Sequence, residues 1–134
     1  MKTSMDAAQI PNPDAPDSGP ITLNRFLDAL PYPAYYKDAS GVYLGCNQAF
    51  RRQILCGCTE EIIGRSLADL KDNIPAGLLR LYMQKDAEIL EKAGQQVFEA
   101  KVRCGDGITR TFAFYKSILK DDHGTVIGIA GLML

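Results

Sequence analysis

Gly41-Val42-Tyr43-Leu44-Gly45-Cys46-Asn47-Gln48-Ala49-Phe50 is the stretch where the chain changes its periodicity. Val42-Tyr43-Leu44 is a short β-branched and aromatic run, the composition of a strand. Asn47 then stands before Gln48-Ala49-Phe50-Arg51-Arg52-Gln53-Ile54-Leu55, where its side chain can accept from the unpaired N–H groups of a first helical turn. Such a cap is worth roughly 1 kcal/mol. Gly57 closes the helix. Upstream, Ala34-Tyr35-Tyr36 is a second strand-like run, and Lys37-Asp38-Ala39-Ser40-Gly41 supplies the Asp and Gly of a turn between the two. The segment therefore reads as a β-hairpin feeding an Asn-capped helix.

Working outward toward the N-terminus, Leu23, Phe26, Leu27 and Leu30 fall at i, i+3, i+4 and i+7, one apolar stripe on a short helix with Thr22 as N-cap. Pro31 and Pro33 end it. Residues 1–20, with Pro11, Pro13, Pro16 and Pro20 among Asp, Ser and Asn, read as a flexible tail or linker, since backbone donors are missing and there is little apolar surface to bury. Toward the C-terminus, Thr59 followed by Glu60-Glu61 predicts a second helix start, and Ser66-Leu67-Ala68-Asp69 has capping-box spacing for a third, both short. From Pro75 to Ala93 no proline intervenes, and Leu79, Met83, Ala87 and Leu90 line one face of the longest helix.

After Gly94 the period becomes two. Phe98, Ala100, Val102 and Cys104 share one face of a strand, and Glu99, Lys101 and Arg103 the other. Asp106-Gly107 and Asp121-Asp122-His123-Gly124 are turns that separate this strand from two more, over residues 108–119 and 125–134. The fold class is α+β: a five-stranded antiparallel sheet with helices packed on one face.

A chain of 134 residues with 46% hydrophobic and 23% charged residues holds one globular domain, placed at 21–134, with room for a modest internal cavity. Fifteen basic against sixteen acidic side chains leave a net charge of −1, so there is no basic surplus for nucleic acid or acidic lipid. The longest apolar stretch, residues 128–134, is far short of a membrane span, and no signal pattern opens the chain. Four cysteines are too few for a disulfide scaffold and read as free thiols of a cytoplasmic protein.

From Phe26 to Leu134 the order of these pieces resembles the PAS sensory domains. The resemblance is carried by Leu30-Pro31-Tyr32-Pro33-Ala34-Tyr35-Tyr36-Lys37-Asp38, by Gly41 to Phe50, by Thr59-Glu60-Glu61-Ile62-Ile63-Gly64-Arg65-Ser66, and by the turns at Asp106-Gly107 and Gly124-Thr125-Val126-Ile127-Gly128. The wording Tyr-Lys-Asp, Cys-Asn-Gln-Ala-Phe and Phe-Tyr-Lys-Ser is most similar to modules that precede bacterial histidine kinases or diguanylate cyclases. The family usually continues past its last strand with an Asp-Ile-Thr-like tripeptide; this chain stops at Leu134, the look of a sensor excised from a longer protein. The resemblance implies a non-enzymatic domain that binds a small molecule internally and relays its presence to an output domain. The alternative is a ligand-free module for dimerisation or protein interaction.

Neither haem nor flavin is expected. His123, the sole histidine, lies in a turn, whereas haem-sensing relatives carry theirs on or beside the long helix. The reactive cysteine of the photoactive flavin branch is missing from the context Asn47-Gln48-Ala49-Phe50. Cys56-Gly57-Cys58 has no second pair at zinc spacing, so no metal is expected. No two carboxylates are spaced as an acid/base couple, and no nucleophile–base pair stands out, which leaves a small cofactor-free enzyme as the weakest reading. Asp86, beside the apolar stripe of the long helix, reads either as part of a solvated face or as a buried carboxylate. In the second case Lys116, on the strand face of Phe112, Phe114 and Ile118, is its counterpart, and the two clasp a polar ligand. Tyr36, Tyr43, Tyr82, Phe98, Phe112 and Phe114 complete the candidate pocket. A homodimer is expected through the helix at Thr22 to Leu30, whose stripe has little of its own sheet to cover it.

Overall fold

Asn47 does begin a helix after a strand in the computed structural model of the chain, which describes residues 19–57, 61–92 and 94–134. In order, the elements are α1 (Leu23–Ala29), β1 (Ala34–Asp38), β2 (Tyr43–Cys46), α2 (Gln48–Gln53), a 3-10 turn (Ala68–Leu70), α3 (Ala76–Lys92), β3 (Gln95–Arg103), β4 (Thr109–Lys120) and β5 (Val126–Met133). Thr22 caps α1 by accepting from the Arg25 N–H. Asp38 organises the β1–β2 turn, its carboxylate accepting from Ser40 and Val42 N–H.

All strand pairs are antiparallel, in the order β2-β1-β5-β4-β3. The register pairs Tyr35 with Gly131, Lys37 with Ile129, Phe114 with Met133 and Phe98 with Phe114, so these side chains share one face of the sheet. On that face Tyr35, Phe50, Ile54, Ile62, Leu67, Leu70, Val102, Phe114 and Met133 form the core, covered by α2 and the segment leading to the 3-10 turn. The fold is thus the α+β arrangement expected.

Two expectations are corrected. The helix start at Thr59 lies outside the described residues, but residues 61–66 are not helical. Their backbone pairs with the edge of β2 instead: Tyr43 N–H donates to the Arg65 carbonyl and Gly64 N–H to that of Tyr43. A segment bonded to a strand edge has no groups left for helical bonds. The capping box at Ser66 forms, Asp69 accepting from both the N–H and the hydroxyl of Ser66, yet it opens only one 3-10 turn. In addition, α2 ends at Gln53, two residues before Leu55.

The proposed tail falls mostly outside the described residues. His123 occupies the exposed β4–β5 turn, and among the described residues Cys46, Cys56 and Cys104 are free thiols. Cys58 lies outside them. No described helix is long and apolar enough to cross a membrane.

Candidate functional site

Alternation along the strands brings two lysines inside. In β1, Tyr35 and Lys37 point to the helix-covered face, and in β4, Phe114 and Lys116 do the same. Lys37 is 2% exposed and Lys116 4%. An ammonium that deep needs an anionic partner, and α3 supplies one. Asp86 Oδ2 accepts from Lys37 Nζ at 2.6 Å, while Asp86 Oδ1 accepts from Lys116 Nζ. One carboxylate thereby ties the long helix to both β1 and β4.

This triad lies in the wall of a cavity of about 400 Å³ between the sheet and the helices. Aromatic rings form much of the remaining wall. Phe98 and Phe114 are stacked with centroids 5.0 Å apart, and Tyr82 lies 6.1 Å from Phe114. On the other side Tyr35 packs edge-on against Tyr43 at 5.7 Å and Phe50 at 5.9 Å. The lysines stand over these rings: Lys37 Nζ is 4.5 Å from the Tyr43 centroid, and Lys116 Nζ is 5.5 Å from that of Phe98. The chamber is therefore mainly apolar and aromatic, with one buried charged cluster in its wall and Asp72 and Arg103 at its exposed rim, a composition that suits a small-molecule site.

The electrostatics follow from burial. Loss of water pulls the Lys37 and Lys116 ammonium groups below the ordinary lysine value, and the Asp86 contact opposes that pull in each. Burial pushes the Tyr35 and Tyr43 phenols up, and the Asp86 charge adds to it. Tyr82 is raised by burial too, and its hydroxyl donates to the Lys101 carbonyl. At neutral pH the phenols remain O–H groups.

Of the candidate residues, Tyr43, Tyr82, Asp86, Phe98, Phe114 and Lys116 line the cavity, and Asp86 with Lys116 forms the expected pair. Tyr36 and Phe112 do not. Tyr36 is paired with Gly45 and lies on the opposite face from Tyr35 and Lys37, its ring over that glycine. Phe112 has the right strand face but sits too near the start of β4, beside a shallow groove lined by Arg52, Gln53 and Cys56. Lys37 and Tyr35 were missed. Lys37 precedes Asp38 and reads as turn, although its two-residue spacing from Tyr35 in a strand would have placed both inside. Among the described residues, no group of three His, Cys, Asp or Glu side chains is placed to hold a metal.

Similar architecture occurs in solved structures. The PAS domain of Bordetella pertussis BvgS superposes with a TM-score of 0.69 at 19% identity, over 84% of this chain and 82% of that one. A Vibrio cholerae VqmA dimer, a LuxR-type receptor, gives 0.69 at 23% identity over 85% of this chain and 52% of its own. VqmA bound to DPO gives 0.68 at 22% over 82% and 54%. This chain spans about half the length of those VqmA chains, and at these identities the likeness is one of fold. No curated protein matches it. The family model described as the PAS fold matches residues 27–134, most of the chain and every strand of the sheet, and on that ground the chain belongs to the PAS family.

Proposed function

We propose that this domain is the sensor of a longer cytoplasmic signalling protein. A small molecule enters the cavity, and its presence is relayed to a downstream output domain of histidine-kinase or diguanylate-cyclase type. The observation that supports this reading is the aromatic cavity with the Lys37–Asp86–Lys116 cluster in its wall. A core needing only stability is served better by apolar packing than by a buried ion cluster. VqmA, similar in fold, has been solved bound to DPO.

The relay follows from the attachment of α3. Asp86 joins that helix to two strands, so a ligand that takes hydrogen bonds from either lysine changes how firmly helix and sheet are clamped. It then selects one helix–sheet packing over another, and elements attached to the domain respond to the population shift. The domain performs no catalysis in this reading. Its ligand is neither haem nor a covalently reactive flavin in this reading: the one histidine lies in an exposed turn, and Asn47-Gln48-Ala49-Phe50 lacks the reactive cysteine. With a net charge of −1 it contacts neither nucleic acid nor membrane itself.

A second reading, a dimerisation module, is favoured by α1. That helix buries none of its residues, with Leu23 45% and Phe26 59% exposed. The two readings combine if a homodimer forms through α1. Native mass spectrometry of freshly purified protein tests both: a dimer carrying a small-molecule adduct is expected. Repeated observation of ligand-free protein that takes up nothing from a cell extract would remove the sensor reading and leave the dimer.

A further inference from the structure

The lysine cluster holds more donors and more charge than Asp86 can take up. Two ammonium groups offer six N–H bonds, and Asp86 accepts one from each lysine. Lys37 is otherwise over the Tyr35 and Tyr43 rings, and Lys116 over Phe98. Ring faces attract a cation but do not neutralise it. Two positive charges against one negative leave the interior at +1. The exposed rim of the cavity adds one charge of each sign, Arg103 and Asp72, and so no net charge. Lys85, 4.9 Å from the Phe98 ring, has its own partner in Glu88 at 4.0 Å. The surplus charge thus belongs to the buried cluster, where water screens it less than at the surface.

Resting on the sensor reading, we propose that the cavity takes a flat monoanion: a carboxylate, or an equivalent delocalised oxyanion, carried on a small aromatic ring system. The oxyanion accepts from Lys116 and Lys37 on the side away from Asp86, and the ring lies against Phe98, Phe114 and Tyr43. Anions and cations then alternate around the cluster, and the interior becomes neutral. Small-molecule sites run from roughly 300 to 1,000 Å³, and a cavity of about 400 Å³ suits a one- or two-ring acid.

Three probes of one shape separate charge from fit: 2-naphthoate, 2-naphthamide and 2-naphthamidine, which are anionic, neutral and cationic. Calorimetry measures affinity, and the Met133 methyl NMR signal reports entry into the cavity, whose wall includes Met133. The acid is expected to bind about tenfold or more tighter than the amide, and the amidine weakest. Lys116→Gln, which keeps the neutral Lys37–Asp86 pair, is expected to erase the gap between acid and amide. Asp86→Asn is expected to widen it. Amide binding equal to the acid, or a preference for the amidine, overturns the anion proposal while the ligand pocket stands. If none of the three moves the Met133 signal at millimolar concentration, the aromatic-anion proposal falls, and the sensor reading stands or falls on the native mass spectrometry instead.

Discussion

Two buried polar clusters lie at opposite ends of β1, at Ala34 and at Lys37, and they differ in whether their hydrogen-bonding capacity is used up. Asn47 is fully buried. Its Oδ1 accepts from Ala34 and Phe50 N–H, and its Nδ2 donates to the Leu27 and Tyr32 carbonyls, all four near 3 Å. Both donors and both acceptor sites of the amide are filled by backbone. The Lys37–Asp86–Lys116 cluster has equally buried lysines but donors to spare, and those donors border a cavity. Buried polarity alone does not distinguish a structural joint from a binding site. The surplus left after counting donors and acceptors does.

The strongest way to break that contrast is Asn47→Ala. A cap alone would cost roughly 1 kcal/mol, but three further backbone groups lose their partner here, so a loss of roughly 4 kcal/mol is expected, unaffected by any cavity ligand. Chemical denaturation measures it. A loss near 1 kcal/mol would mean that water replaces the amide and that Asn47 is no joint.

Next in size is Asp86→Asn, which strands two buried ammonium groups and is expected to cost roughly 3 kcal/mol near neutral pH. The deficit carries a pH signature. Both lysines already sit below their unfolded value of 10.5 in the native protein, and removing the carboxylate lowers them further. Between the folded and unfolded values the unfolded chain binds more protons, so stability rises with pH. The gap to the parent protein therefore narrows as pH is raised toward 10. Melts must stop below that value, because Tyr35, Tyr43 and Tyr82 are raised, and their contribution is lost as pH climbs past it. A gap independent of pH would show that the lysines are not the source of the cost.

The smallest effect compares two glycines that each lie under a tyrosine. A Cβ at Gly131 would come within 2.3 Å of the Tyr35 ring, which lines the cavity; one at Gly45 would meet the Tyr36 ring on the opposite face at 2.4 Å. Alanine at either is expected to cost about 1–2 kcal/mol through overpacking. Only Gly131→Ala should weaken naphthoate binding, since only Tyr35 is pushed into the cavity. Equal effects on binding would mean that cavity shape does not govern recognition.

The fold was legible because its signals are local. Alternation in Phe98, Ala100 and Val102, the uninterrupted run of α3, and the caps at Thr22 and Asn47 each lie within a few residues. The site was legible only in part, because it is assembled across elements. Lys116 and Asp86 stood out as charges beside apolar stripes. Lys37 did not, since a lysine followed by Asp38 near Gly41 carries the composition of a turn, and only the β1–β5 pairing draws it into the strand. Phe112 shows the limit of face assignment: periodicity gives the side of a sheet and says nothing about position along it. The segment at residues 61–66 followed the edge of β2 rather than its own capping signals, a tertiary bond overriding a local preference.

The strand order also says something about assembly of the fold in time. β1 with β2, and β3 with β4 and β5, are made by short connections or by turns, whereas the seam between β1 and β5 joins the first strand to the last, Ala34 opposite Leu132. Closing a loop of nearly the whole domain carries the largest entropic cost of any pairing in the sheet, so the two half-sheets are expected to form before they are sewn together. Lys37 belongs to one half and Lys116 to the other, with the Asp86 carboxylate reaching across. The buried ion cluster is the clasp on that seam, made only when the two halves meet.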